Sequence, residues 1–211
     1  MQKKPLILAL LAGIALSGAA QATLIDRGGG MIYDTDLNLT WLADANYAMT
    51  SGYDADGRMN WSAANAWAAG LSYGGYSDWR LPTTLQPDAS CSGQSGGVSD
   101  GVNCSGSEMG HLFYTEGGVS AGSSILTSTI LGNYFTNMQS YAYWSGTEYA
   151  LEPNVAWFFD TLIGYQYAFN EVIELDAWAV RPGDVAAVPE PATLLLLSLG
   201  LAGLGVMRRR G

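Results

Sequence analysis

Lysine is missing from almost the whole of this sequence. The 211-residue chain has lysine only at Lys3 and Lys4, and residues 23–188 carry four arginines against 18 acidic residues, a formal net charge of −14. Nucleic-acid binding depends on lysine and arginine to neutralise phosphates, so nucleic acid is excluded as a partner. Anionic polysaccharide is disfavoured for the same reason unless a cation bridges the charges. Neutral sugars, cationic surfaces and calcium stay open.

The residues that most enzymes use are also scarce. His111 is the only histidine, and no G-x-S-x-G motif places a serine nucleophile. A common metal centre would need a second histidine, so His111 is interpreted as a surface or helix-packing residue. Paired carboxylates for glycoside hydrolysis stay open, because 18 acids offer many pairs and the sequence gives no distances.

Cysteine occurs twice, at Cys91 and Cys104, within a stretch rich in glycine and serine. Neither position has the neighbouring cysteine or histidine that a zinc site needs. In an exported chain such a lone pair predicts a disulfide, which would close a loop of about 14 residues and stabilise the fold by at most about 3 kcal/mol.

Long hydrophobic runs are confined to the two ends. The first 22 residues have a basic start, an apolar run over residues 6–16 and the small-residue pattern Ala20-Gln21-Ala22. This arrangement predicts a signal peptide over residues 1–22 that signal peptidase removes. The apolar run is too short to cross about 30 Å of hydrocarbon comfortably.

The second apolar run covers residues 192–207. It follows the motif Pro189-Glu190-Pro191 and precedes Arg208, Arg209 and Arg210. A helix of this length spans about 24 Å, which is marginal for a bilayer core, and the arginines favour the cytoplasmic side. The sequence therefore predicts a weak C-terminal transmembrane helix that anchors an external domain to the inner membrane, at least transiently.

This three-part tail resembles the PEP-CTERM sorting signal of Gram-negative bacteria. The resemblance implies processing by exosortase, a membrane protease that cuts near the motif, and a final place at the cell surface or in the exopolysaccharide and biofilm matrix. The predicted organisation is a signal peptide at 1–22, a domain at 23–182, a linker at 183–188 and the sorting tail at 189–211.

Between the ends, the residue pattern predicts an α+β domain. Apolar residues at Ile32, Leu37, Leu39 and Trp41 flank an Asp/Asn-rich turn and indicate a β-hairpin. Asn60 is expected to cap a helix over residues 61–71, a second short helix is expected after residue 107, and residues 86–107 are expected to form a loop. From residue 141 onward, short aromatic runs predict strands of one irregular antiparallel sheet.

Four segments of this domain carry a second resemblance: IYDTDLNLTWL, WSAANAWAAGLSYGGYSDWRLPT, YWSGTEY and AWAVRP. Together they resemble the Lcl C-terminal-domain family over roughly residues 28–182. The resemblance implies a fold related to C-type lectins and formylglycine-generating enzymes, and a binding or adhesion module. The cysteines here lie at 91 and 104 and not late in the domain, so oxidase chemistry does not transfer.

Tryptophans give the candidate ligand-binding positions. Trp79, Trp144 and Trp157 could stack on sugar rings, and Arg80 could reach a ligand oxygen. The block Asp78-Trp79-Arg80-Leu81-Pro82 also fits a packing role, in which Trp79 and Leu81 are buried and Arg80 pairs with a carboxylate. Packing is the favoured interpretation of this block.

Aspartates in two turns give a candidate calcium site. Asp34 and Asp36 alternate in the first turn, and Asp54 and Asp56 alternate in a later one. Neither turn has the glutamate at the twelfth position that closes an EF-hand loop. Aspartates in turns usually accept hydrogen bonds from the backbone, so a turn-capping role is the alternative.

The sequence thus predicts an exported, non-catalytic binding module, with extracellular polysaccharide as a possible ligand and calcium as a possible cofactor. A structural or protein-interaction component of the matrix is the first alternative, and a hydrolase is the second.

Overall fold

The computed structural model describes residues 24–185. The predicted signal peptide at 1–22, the sorting residues Pro189, Glu190, Pro191 and Arg208–Arg210, and the predicted helix at 192–207 lie outside the described residues. Within residues 24–185, no helix has the length and hydrophobicity needed to cross a membrane.

The described chain contains eleven short strands, three α-helices and three other helical turns. The strands are β1 (Leu24–Asp26), β2 (Met31–Asp34), β3 (Leu39–Leu42), β4 (Arg58–Met59), β5 (Gly93–Ser95), β6 (Val98–Val102), β7 (Ala142–Glu148), β8 (Val155–Asp160), β9 (Tyr165–Asn170), β10 (Leu175–Asp176) and β11 (Val180–Pro182). The helices are α1 (Tyr47–Thr50), α2 (Trp61–Gly70) and α3 (Glu108–His111), with a π-helical turn at Leu112–Glu116 and 3₁₀ turns at Ile125–Thr127 and Leu131–Asn133.

The strands form two sheets. The smaller sheet has the order β1-β2-β3-β11 and is antiparallel throughout, and the larger has the order β4-β10-β7-β8-β9-β6-β5. One pair in the larger sheet, β10 with β7, is parallel. The α+β class is therefore confirmed, but the expectation of one sheet is wrong. The predicted hairpin over β2 and β3 pairs with β1 on one side and with the last strand, β11, on the other, and these four strands form a separate sheet.

Helix α2 forms where the sequence predicts it. Asn60 is the N-cap, and its Oδ1 accepts a hydrogen bond from the Ala63 amide at 2.9 Å. Three residues at helical spacing, Ala64, Trp67 and Ala68, form its buried face. This cap and this spacing together explain both the start of the helix and its orientation on the core.

The helix expected after residue 107 is also present, in a less regular form. Helix α3 continues without a break into the π-helical turn, and this segment buries Met109, Leu112 and Phe113. The π-helical turn ends at Glu116, which is 5 % exposed.

The segment predicted to be a loop at residues 86–107 contains a hairpin, β5 and β6. Gly96 and Gly97 have φ values of +60° and +82°. Two consecutive residues with positive φ make the tight turn that matches the twist of paired strands, and glycine adopts it without steric cost. The expectation of an irregular loop is thus wrong, because these glycines form a hairpin turn.

The core lies between the two sheets and is centred on Trp178. Its ring is fully buried and contacts Trp41 at 5.3 Å and Phe135 at 5.0 Å between centroids, both edge to face. The indole Nε1 of Trp178 donates to the Leu42 carbonyl at 2.8 Å. The apolar ring of Trp178 is therefore buried, and its N–H group has a hydrogen-bond acceptor inside the protein.

Candidate functional site

The hairpin of β8 and β9 presents aromatic side chains to solvent. Phe158 pairs with Tyr167, and Ala156 pairs with Phe169, so these side chains share one face of the sheet. Tyr167 is 45 % exposed and Phe169 is 49 % exposed. These two rings, at alternate positions of one strand, form an exposed apolar patch, and such patches mark binding surfaces when they are large.

A cleft of about 410 Å³ opens beside this hairpin. The pairing of β6 with β9 covers Tyr165 and Gln166 and stops there, so the cleft borders the second half of β9. It is called the aromatic cleft below, and it is lined by Asp100, Tyr149, Glu152, Val155, Trp157, Tyr167, Ala168, Phe169 and Asn170.

The lining combines rings with hydrogen-bonding groups. The Tyr149 ring contacts the ring of the buried Trp157 edge to face, with 5.3 Å between centroids. Asp100, Glu152 and Asn170 add carboxylate and amide groups. The cleft therefore offers ring surface and hydrogen-bonding groups side by side, as the apolar faces and hydroxyl groups of a sugar require.

The predicted disulfide stands next to this cleft. Cys91 and Cys104 are bonded to each other, which confirms the pairing. The bridge closes the segment that contains β5 and β6, and Asp100 lies on β6 opposite Gly93. Gln166 of β9 donates from Nε2 to the Ser99 carbonyl at 3.4 Å. The disulfide and this hydrogen bond thus hold one wall of the cleft against the sheet.

The block around Trp79 has a packing role. Trp79 and Leu81 are 2 % and 1 % exposed. The Arg80 guanidinium donates two hydrogen bonds of 2.7 Å to the two carboxylate oxygens of Glu108, and the Thr83 amide donates to the same carboxylate. Arg80 thus joins the DWRLP segment to helix α3, and the favoured interpretation agrees with this geometry.

The other two tryptophans of interest are buried. Trp144 is fully buried, and its Nε1 donates to the Met59 carbonyl at 2.9 Å, so its ring has no free face for a sugar. Trp157 is the one candidate of the four that borders the aromatic cleft, and strand alternation places its side chain on the sheet face opposite to Tyr167 and Phe169. The exposed rings of this cleft, Tyr167 and Phe169, were not among the sequence candidates.

Asp54 and Asp56 act as turn-capping residues. Asp54 Oδ1 accepts hydrogen bonds from the amides of Asp56 and Gly57 at 3.1 and 2.9 Å, and Asp56 Oδ1 accepts one from the Arg58 amide at 3.1 Å. The Asp56 amide holds the pKa of Asp54 below its usual value. These contacts match the turn-capping alternative, and no second group of ligands accompanies these two residues among residues 24–185.

Asp34 lies in a different environment from the other turn aspartates. Its Oδ1 accepts hydrogen bonds from the amides of Asp36 and Leu37 at 3.1 and 3.0 Å, but it also approaches His111 and Glu116. One potential ligand atom from each of these three side chains lies within 4.8 Å of the others. They are called the carboxylate–histidine cluster below.

The electrostatics of this cluster follow from its burial. Burial raises the pKa of Asp34, and the nearby Glu116 carboxylate raises it further. The Glu116 carboxylate, 3.5 Å from His111 Nε2, raises the pKa of His111. Asp36 Oδ2 lies 3.9 Å from the same nitrogen and is more exposed.

Comparison with known families gives two matches. The model described as "Lcl C-terminal domain" matches residues 30–181, and the model described as "PEP-CTERM protein-sorting motif" matches residues 187–210. Neither the curated proteins nor the solved structures gave a match. The sorting motif indicates an exported protein that exosortase processes after a transient stay at the membrane.

Proposed function

The chain belongs to the Lcl C-terminal domain family and carries a PEP-CTERM motif. From this premise we propose that it is a non-catalytic binding module that attaches to neutral polysaccharide through the aromatic cleft. Its place of action would be the surface or extracellular matrix of a Gram-negative bacterium. Signal peptidase and exosortase would be the processing enzymes. The family resemblance to the C-type-lectin-like fold stays a prediction and favours binding over chemistry.

The observation that carries this proposal is the exposure of Tyr167 and Phe169 beside polar groups in one cleft. Nearly half of each side chain is exposed, although folding favours their burial. Rings stack on the apolar faces of sugars, while carboxylates and amides accept or donate to hydroxyl groups. Asp100 and Glu152 would repel an anionic polysaccharide, so the ligand is expected to be neutral or to carry amino groups.

A glycan array tests the class of ligand. The full chain is applied to neutral, amino-containing and sulfated glycans, with calcium and again with a chelator. We expect signals on neutral or amino-containing glycans that do not depend on calcium. An absence of binding under both conditions would contradict the carbohydrate proposal. Binding only with calcium would favour the predicted calcium ligands Asp34, Asp36, Asp54 and Asp56.

A hydrolase is the second candidate, because Asp100 and Glu152 border the same cleft. A pair of carboxylates on either side of a glycosidic bond is the usual machinery for hydrolysis. Incubation of any bound glycan followed by mass analysis separates the two functions. Unchanged glycan supports a binding module, whereas shortened products that disappear in Glu152→Gln would support an enzyme.

A structural or protein-interaction role in the matrix is the other alternative. A second cleft of about 370 Å³ on the hairpin includes Tyr141, Phe158 and Phe169 and is largely apolar. Capture of a matrix protein that free glycans do not displace, and that Phe158→Ala prevents, would favour this role.

A further inference from the structure

The carboxylate–histidine cluster joins two distant parts of the chain. Asp34 ends β2, whereas His111 ends helix α3 and Glu116 ends the π-helical turn. The three ligand atoms come within 4.8 Å of one another although 77 positions separate Asp34 from His111 in the sequence. The fold, and not a local motif, creates this group.

The cluster leaves three buried polar atoms without a hydrogen bond. Asp34 Oδ2, His111 Nε2 and Glu116 Oε1 make no hydrogen bond of good geometry, although His111 Nε2 lies 3.5 Å from Glu116 Oε1 and the Trp41 indole lies beside Asp34. Asp34 is fully buried and Glu116 is 5 % exposed. Buried polar atoms are nearly always paired, and a buried carboxylate without a partner is strongly unfavourable. A protonated His111 would offset only one of the two negative charges, at 3.5 Å from Glu116.

A cation between these atoms would satisfy all three. We propose that Asp34, His111 and Glu116 bind one divalent transition-metal ion of the zinc type. Tetrahedral zinc with bonds of about 2.1 Å places its ligands about 3.4 Å apart, close to the separation between His111 Nε2 and Glu116 Oε1 of 3.5 Å. Asp36 or a water molecule would take the remaining position, since Asp36 Oδ2 lies 3.9 Å from His111 Nε2.

The donor set favours zinc over calcium. Calcium takes six to eight oxygen ligands, whereas zinc, manganese and nickel accept imidazole nitrogen together with carboxylates. The cluster offers one nitrogen and two buried carboxylates. Asp34, one of the predicted calcium ligands, is thus part of a site with mixed nitrogen and oxygen ligands, which calcium does not favour.

The surrounding backbone fits a ligand site. Asp34 holds its own turn through Oδ1 alone, and these two hydrogen bonds fix the orientation of the carboxylate. Glu116 is the last residue of a π-helical turn, and such turns are rare and occur frequently at functional sites. The bound ion would fasten the β2 turn of the smaller sheet to helix α3 and so stabilise the domain from which the cleft is built.

The test is metal titration of the purified full chain after removal of metals with a chelator. Zinc, manganese and calcium chlorides are added separately, and binding is followed by calorimetry and by the thermal unfolding midpoint. We expect one zinc ion per chain and a midpoint raised by about 5 to 10 °C when free zinc is about 100-fold above its dissociation constant. Calcium should give a much smaller shift.

The decisive variant is Glu116→Gln, with Glu174→Gln as the matched control that removes an exposed carboxylate elsewhere. Glu116→Gln should weaken zinc binding by about tenfold or more, whereas Glu174→Gln should bind as the unchanged protein does. Zinc should raise the unfolding midpoint of the unchanged chain and of Glu174→Gln by similar amounts, and it should raise the midpoint of Glu116→Gln much less.

Two results would overturn the proposal: the stripped chain binds no zinc, or Glu116→Gln binds zinc as tightly as the unchanged chain.

Discussion

Aromatic residues occupy two contrasting regions of this molecule. Around Trp178 the rings are enclosed: Trp41, Trp178 and Tyr143 are fully buried, and the indole Nε1 of Trp178 has an internal acceptor. On the hairpin of β8 and β9, Tyr167 and Phe169 are 45 % and 49 % exposed. The same residue types therefore perform two tasks. The enclosed rings hold the sheets together, and the exposed rings are available to a ligand.

This difference separates stability from binding. An enclosed ring contributes through burial and close packing, whereas a half-exposed ring contributes less to folding and keeps a face in contact with water. Substitutions in the first region should therefore unfold the protein, and substitutions in the second should spare the fold and affect the ligand.

The largest effect is expected for Trp178→Ala. Removal of this ring leaves a cavity between the two sheets and should lower the free energy of unfolding by about 3–5 kcal/mol, as large-to-small changes in a core do. Urea denaturation followed by circular dichroism measures the loss. Tyr167→Ala is the matched control, expected to change stability much less, and equal losses in both variants would erase the distinction between the two regions.

The next effect concerns the wall of the aromatic cleft. Replacement of Cys91 and Cys104 by serine opens the bridge beside β5 and β6, and a loop of this size predicts a loss of about 3 kcal/mol at most. Urea denaturation gives the overall loss, and hydrogen exchange shows where it occurs. Increased exchange should be strongest at residues 91–104, and a change confined to the Trp178 region would contradict this assignment.

A smaller effect of opposite sign is expected for Asp176→Asn, next to the enclosed region. Asp176 is 1 % exposed, its Oδ2 has no hydrogen bond, and the nearest arginine atom, Arg58 Nε, is 3.8 Å away. Burial raises the pKa of Asp176 to about 6. Because the folded state holds this proton more tightly than the unfolded chain, the stabilising contribution of protonated Asp176 is lost as the pH rises through about 6.

Asp176→Asn should therefore raise the free energy of unfolding by about 1–2 kcal/mol at pH 7.5 and by much less at pH 4.5. Urea denaturation at both pH values tests the sign of this change in the free energy of unfolding, with Glu174→Gln as the control. A loss of stability at pH 7.5 would show that the Asp176 carboxylate is adequately paired with Arg58, and an equal gain at both values would show that titration of Asp176 is not the cause.

Local features made part of the fold predictable. The Asn60 cap and the spacing of Ala64, Trp67 and Ala68 specify helix α2 within the segment itself. The turn between β2 and β3 is likewise defined by neighbouring residues. The hairpin of β5 and β6 was missed because Gly96 and Gly97 lie in a glycine- and serine-rich segment, where the turn signal does not stand out from its surroundings.

The sites depended on contacts between distant residues, which the sequence does not reveal. Tyr167 and Phe169 look like ordinary strand residues, and only the position of β6 shows that their edge of the sheet borders a cleft. The partner of Arg80 was predicted as a carboxylate without its identity, which is Glu108. A single histidine argued against a metal centre, yet the fold brings two carboxylates from different segments to His111.

The central claim is that Tyr167 and Phe169 bind polysaccharide, and calorimetry tests it most directly. A neutral polysaccharide from the host's own matrix is titrated into the full chain and into the double variant Tyr167→Ala/Phe169→Ala. We predict measurable binding to the unchanged chain and a loss of at least about tenfold in the variant, which corresponds to about 1.4 kcal/mol, with the unfolding midpoint nearly unchanged. Equal affinity in both proteins, or no binding by the unchanged chain, would contradict the assignment of the exposed rings to polysaccharide binding.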